Sequence, residues 1–183
     1  MKRCEIRLSG AGGQGMITAG IILSEAALLE KDLNVTQTQS YGPESRGGAS
    51  RAEVVLSHET IDYPKVIKPN ILVALTQKAF DKYSGDIKEK GIIIVDDKIN
   101  TSKNSNKTKA SIFCLPIIET AENEVGLKLT SNIVVLGIVS KFVDDISVKD
   151  IKAAVRKRVP AHTVEKNMTA FEEGIKLAES LII

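Results

Sequence analysis

Gly10-Ala11-Gly12-Gly13-Gln14-Gly15 stands between a short β-prone run, Cys4 to Ser9, and an apolar stretch, Met16 to Glu30, that carries Ile17, Ile21, Leu23, Leu28 and several alanines. The first run has the character of a strand and the last that of a helix, with the glycines breaking the chain between them. A strand, a glycine turn and a helix in that order open an α/β sheet. The chain beyond keeps alternating. Asn34 to Ser40 is β-prone but polar, as suits a strand end reaching solvent or an interface. Tyr41-Gly-Pro-Glu-Ser-Arg-Gly-Gly-Ala-Ser forms a second glycine-rich loop, and Arg51 to Leu56 reads as the next strand. Asn70 to Thr76 and Gly91 to Val95 are continuous apolar strands with a short helix over Gln77 to Tyr83 between them, which predicts a right-handed parallel crossover.

Asp96 to Lys109 is polar and aperiodic, an exposed excursion before the strand Ser111 to Leu115. Ser131 is placed to cap a helix over Asn132 to Val143, although Ile133-Val-Val-Leu-Gly-Ile-Val is β-branched enough for a strand to compete. Helices follow at Val148 to Arg158 and, after Pro160, along the stripe Val164, Met168, Phe171, Ile175, Ala178 and Ile182. The expected fold is therefore α/β, a three-layer Rossmann-like sandwich with a mainly parallel central sheet, in one domain over residues 1–183.

Composition narrows the function. With 183 residues, 43% hydrophobic and 26% charged, the chain can bury a sizeable core, and zero Trp with four Phe leaves that core to Ile, Leu, Val and Ala. The 25 Lys and Arg against 23 Asp and Glu give a net charge of +2, too balanced for a nucleic-acid binder. The absence of a run of about 18 apolar residues and the charged start Met1-Lys-Arg-Cys-Glu-Ile-Arg predict no membrane span and no signal peptide, hence a cytoplasmic protein. Cys4 and Cys114 sit in apolar runs and are expected to be buried free thiols; two cysteines cannot supply the four thiolates of an iron–sulfur cluster. His58 and His162 have no metal spacing, so no metal site is expected.

Two loops are candidates for function. Gly10, Gly12, Gly13, Gln14 and Gly15 precede a helix start, whose amides favour an anion. A dinucleotide site needs an acid at the end of the second strand, yet that strand ends in Gln39-Ser40-Tyr41. An anion or partner contact, a dinucleotide site and a purely structural turn are the three readings. In the second loop Tyr41, Gly42, Ser45, Arg46, Gly47 and Gly48 place one arginine among small residues, able to meet a phosphate or carboxylate, or else paired with Glu44 or solvated. Both loops follow strands and can share one sheet edge. Asp96-Asp97 suits helix capping or solvent better than acid–base work.

Four stretches in order, Gly10-Ala-Gly-Gly-Gln-Gly-Met, Tyr41-Gly-Pro-Glu-Ser-Arg-Gly-Gly, Asn132-Ile-Val-Val-Leu-Gly and Asn167-Met-Thr-Ala-Phe-Glu-Glu-Gly, resemble the gamma subunits of 2-oxoacid:ferredoxin oxidoreductases. The length is similar to that of stand-alone gamma subunits of the 2-oxoglutarate type. Indolepyruvate-type and pyruvate-type small subunits are the alternatives inside the family. A stand-alone dinucleotide- or flavin-binding domain is the alternative outside it. The resemblance implies a subunit, inactive alone, of a complex that oxidatively decarboxylates a 2-oxoacid with coenzyme A to an acyl-CoA and reduces ferredoxin. It implies that thiamine diphosphate, Mg and an iron–sulfur cluster sit on alpha and beta partners, often with a ferredoxin-like delta subunit. It also implies that Gly10 to Gly15 and Tyr41 to Gly48 line a contact with coenzyme A or a neighbouring subunit, with no catalytic residue here.

Overall fold

The computed structural model describes residues 3–40, 49–102 and 108–181. Its strands are β1 (Arg3–Ala11), β2 (Asn34–Ser40), β3 (Ala49–Ser57), β4 (Ile71–Ala74), β5 (Ile92–Asp96) and β6 (Ser111–Leu115). Its helices are α1 (Met16–Ala27), α2 (Gln77–Tyr83), α3 (Ile117–Asn123), α4 (Ser131–Val139), α5 (Val148–Arg158) and α6 (Val164–Glu179), and the 3-10 turns Lys128–Thr130 and Ala161–Thr163 run into α4 and α6.

The six strands lie in the order β2-β3-β1-β4-β5-β6. β1, β4, β5 and β6 pair in parallel, while β3 is antiparallel to both β1 and β2, so β3 alone runs against the rest. The reversal follows from chain length: residues 41–48 are fewer than the dozen or so that a parallel crossover requires. The sheet is mainly parallel, as expected, with one reversed strand.

Helices cover both faces. Cys4, Ile6 and Leu8 of β1 pack with Val54 and Leu56 of β3 under α1, α4, α5 and α6, forming the larger core. On the other face Leu72, Ala74, Ile93 and Val95 meet Ala79, Phe80 and Tyr83 of α2. Beside them Arg7 is buried, its Nε donating to Glu53 Oε1 at 2.8 Å and its other nitrogen to Asp86 Oδ2 at 3.2 Å, with the guanidinium 5.1 Å from the Tyr83 ring centroid.

Several expectations shift. β1 continues through Gly10 and Ala11, which pair with Ser50 and Ala49, so the glycine stretch begins inside the sheet. α1 closes at Ala27, and Leu28, Leu29 and Glu30 follow as a turn whose amides reach back to Ser24, Ala26 and Ala27. The β-branched run 133–139 is helical, with every residue of α4 buried. Ser131 lies inside that helix rather than capping it; the preceding 3-10 turn takes the place of a side-chain cap. Burial overrides propensity there because α4 and α6 meet backbone to backbone: a Cβ on Gly137 would stand 2.2 Å from the Phe171 carbonyl oxygen, and one on Gly174 2.1 Å from that of Val134.

The buried face of α6 is Asn167, Ala170, Phe171, Gly174 and Ala178, with Met168 and Ile175 on its flank and Ile182 outside the described residues. Cys4 is buried as expected, but Cys114 is exposed, because β6 is the last strand of the sheet. Asp97, Lys98 and Asn100 are exposed, whereas Asp96 and Ile99 are buried. No helix among the described residues is long and apolar enough to cross a membrane.

Candidate functional site

The glycine turn is built at the end of β1. Gln14 folds back so that its Oε1 accepts from the Ala11 amide at 2.7 Å, while its own amide donates to the Ala11 carbonyl at 3.2 Å. Gly10 leaves room for that side chain, since a Cβ there would stand 2.5 Å from Gln14 Oε1. Gly13 and Gly15 have φ of 88° and 70°, the left-handed region that glycine enters without strain. Gly15 is the N-cap of α1 and offers no side chain to the first amides of the helix. Its carbonyl accepts from Asn132 Nδ2 at 3.3 Å, and a Cβ on Gly15 would stand 2.6 Å from that nitrogen. Gly12 and Gly13 are exposed.

β2 and β3 bring the second loop to the same edge. Ala49 pairs with Ala11 and Ser40 with Arg51, so both ends of residues 41–48 lie beside the glycine turn. Ser50 Oγ bridges the Gly10 and Ala11 carbonyls at 3.1 and 3.3 Å. Tyr41, Gly42, Ser45, Arg46, Gly47 and Gly48 themselves lie outside the described residues. The dinucleotide reading gains nothing from the end of β2: Glu53, which accepts from Thr38 Oγ1 at 3.4 Å, is held by buried Arg7.

Two hollows flank the turn. One, of about 100 Å³, lies against Gly13, Gln14, Lys128 and Ser131; the other, of about 220 Å³, lies against Thr18, Asn132, Thr163 and Asn167. Leu129, 72% exposed, borders both. Lys128 is paired with Glu122, whose carboxyl that ammonium draws below its usual range. Asn132 and Asn167 enter the sequence reading only as parts of motifs. Their signal was a polar side chain at a helix position that the packing buries.

Other candidates take structural roles. Asp96 Oδ2 accepts from the Ile118 amide in the first turn of α3 at 2.9 Å, while Asp97 is exposed, so the acidic pair divides between a helix start and solvent. His58 lies between the Asp145 carboxylate, 2.9 Å from Nε2, and the Asp32 carbonyl, 3.1 Å from Nδ1; its pKa is raised first by the Asp145 bond and then by the Asp32 bond. Burial, followed by the Asp145 charge, pushes the Cys4 thiol up to about 12, so it is inert as a nucleophile. Among the described residues no three His, Cys, Asp or Glu side chains are grouped to hold a metal ion.

Residues 5–177 match the family described as pyruvate ferredoxin/flavodoxin oxidoreductase. The 2-oxoglutarate synthase subunit KorC of Methanocaldococcus jannaschii is 46% identical over 98% of this chain and 96% of its own. KorC of Methanothermobacter marburgensis is 46% identical over 96% of each chain. The solved keto/oxoacid ferredoxin oxidoreductase gamma subunit from Geobacter sulfurreducens superposes with a TM-score of 0.87 at 41% identity, covering 98% of both chains. The chain belongs to the pyruvate ferredoxin/flavodoxin oxidoreductase family, as a gamma-type subunit.

Proposed function

We propose that this chain serves a cytoplasmic 2-oxoacid:ferredoxin oxidoreductase whose substrate is 2-oxoglutarate, decarboxylated oxidatively with coenzyme A to an acyl-CoA as ferredoxin is reduced. The observation that carries the reading is the 46% identity to KorC of M. jannaschii, spread over nearly the whole of both chains. The hard chemistry belongs to thiamine diphosphate with Mg and to an iron–sulfur cluster, which stabilise a carbanion and accept single electrons. The two thiols of this chain stand apart on β1 and β6, one of them buried, and do not fit the cluster; the family resemblance places thiamine diphosphate on a partner as well. Both groups are therefore assigned to alpha and beta partners.

This chain supplies shape and hydrogen-bond donors. The uncapped first turn of α1 and the exposed amides of Gly12 and Gly13 present positive potential at the sheet edge. Gly10, Gly12, Gly13, Gln14 and Gly15, with Arg46 and its loop, are the residues assigned to the contact with coenzyme A or the neighbouring subunit.

Co-expression with the companion subunits and assay of low-potential dye reduction tests the reading. The assembled complex is expected to require 2-oxoglutarate and coenzyme A together. Preference for pyruvate, or turnover by the isolated chain, would overturn it.

A further inference from the structure

β2 ends the sheet. It pairs with β3 through all seven of its residues, Asn34 to Ser40, and no other strand among the described residues lies along its outer side. The outward backbone groups of such a strand are a template for another strand, and edges are commonly guarded by a charge, a proline or a bulge. This edge has no guard. Asn34-Val-Thr-Gln-Thr-Gln-Ser carries no charge and no proline, in a chain of which 26% is charged, and its register with β3 is unbroken.

α1 continues the same surface. A Cβ on Gly20 would stand 2.7 Å from Ala52 Cβ and 3.8 Å from Gln37 Nε2, so the middle of the helix lies over β3 and β2. With about 3.6 residues per turn, Ile17, Ile21, Ser24 and Leu28 form one stripe, next to Gly20 and turned away from buried Ile22, Leu23 and Ala26. Beyond the stripe, Glu25 is bound by Arg158 of α5 at 3.2 Å, so the stripe itself overlooks the free edge of β2. Leu28 is 69% exposed, Ile17 and Ile21 are half-buried, and none of the three joins either core.

The geometry points to a second copy of this chain as the occupant, and we infer that β2 and the stripe of α1 join two copies into a symmetric dimer with one continuous sheet. Gln37 is the middle residue of β2 and lies against the middle of α1. A two-fold axis through Gln37 therefore sets β2 antiparallel to its copy, Gln37 on Gln37, Thr36 on Thr38 and Asn34 on Ser40, with no like charges opposed. The same axis passes between Ile21 and Ser24, so that Ile17 faces Leu28 of the copy. Charge favours this pairing as well. α1 has no acid in its first turn and no base in its last, and two such helices set antiparallel bring each positive start beside the other's negative end. The dimer does not depend on which 2-oxoacid or co-substrate the complex uses.

Sedimentation equilibrium of the full-length chain is expected to show a reversible dimer of the 19.8 kDa protomer. Ile21→Glu, which brings two carboxylates together near the axis, is expected to weaken it at least about tenfold, while Leu129→Glu, on a different exposed apolar residue, leaves it unchanged. Cross-linking reads the register without relying on that variant. In a Cys114→Ser background, Gln37→Cys is expected to oxidise to a covalent dimer, since facing Cα atoms in an antiparallel pair lie about 4.5–5.5 Å apart, within the reach of a disulfide. Asn34→Cys is expected not to, because its own copy lies six residues along the strand, about 20 Å away. Mixed with Ser40→Cys, it is expected to form the heterodimer. In the assembled complex Gln37→Cys is expected to join the same two chains. A chain monomeric at every concentration, a dimer indifferent to Ile21→Glu, equal cross-linking through Asn34→Cys, or a Gln37→Cys bond to a companion subunit would overturn the inference, the last by giving the edge to that companion.

Discussion

Gly174→Ala puts the contact between α4 and α6 to the test. The added Cβ would stand 2.1 Å from the Val134 carbonyl oxygen and 3.0 Å from Gly137 Cα, and neither neighbour is a flexible side-chain tip. To reach an ordinary 3.4 Å the helices must part by about 1.3 Å. A gap of about 0.5–1 Å already forfeits a quarter to a half of each dispersion contact. Overpacking typically costs about 1–3 kcal/mol, and here, where both sides are backbone, about 3–4 kcal/mol is expected. Alanine returns about 0.8–1 kcal/mol of helix propensity. A net loss of about 2–3 kcal/mol is expected, which lowers Tm by roughly 4–12 °C in a domain of this size. Thermal and urea unfolding of the full chain measure it, with Gly85→Ala as the control, since nothing lies within 4 Å of a Cβ there. A Gly174→Ala variant as stable as the parent would refute the reasoning.

Glu53→Gln strips the main partner from Arg7, whose side chain is 4% exposed; with Asp86 still in reach the loss is about 3 kcal/mol, the low end for a broken buried pair. The urea midpoint reports it, and a change under about 1 kcal/mol would count against the pair. His58 has its pKa raised above 6.5, so its bonds to Asp145 and Asp32 stabilise the fold fully below that value and fade as pH climbs through the raised one. The Tm difference between the parent and His58→Gln is therefore expected to narrow as pH rises, and a gap that widens contradicts the assignment. A disulfide reagent at pH 8 is expected to modify Cys114 at once and Cys4 only after denaturation. Two fast thiols in the folded chain would show that β1 is not sealed.

What the sequence disclosed best was local order. The strand, glycine turn and helix at residues 3–27, the apolar strands β4 and β5 and the period of α6 were legible because each is written in adjacent residues. The reversed β3 could be inferred only by setting the length of residues 41–48 against the demands of a crossover. The exposure of Cys114 was hidden, because an apolar run does not say that its strand is the last of the sheet. At the candidate site the glycines of the turn were legible. The asparagines beside them were not, since Asn132 and Asn167 lie 117 and 4 residues from the carbonyls they bind and only folding brings the two into one hollow. The buried Arg7 and Glu53, 46 residues apart, were silent for the same reason.

Ser50 gives the sheet edge a mechanical property. One hydroxyl holds two successive carbonyls at the end of β1, and the residue before it opens the strand that returns from residues 41–48. The turn after β1 and the start of β3 are thus riveted into a single stiff corner. A displacement of the start of β3 is thereby passed to the end of β1, and from there to the first turn of α1.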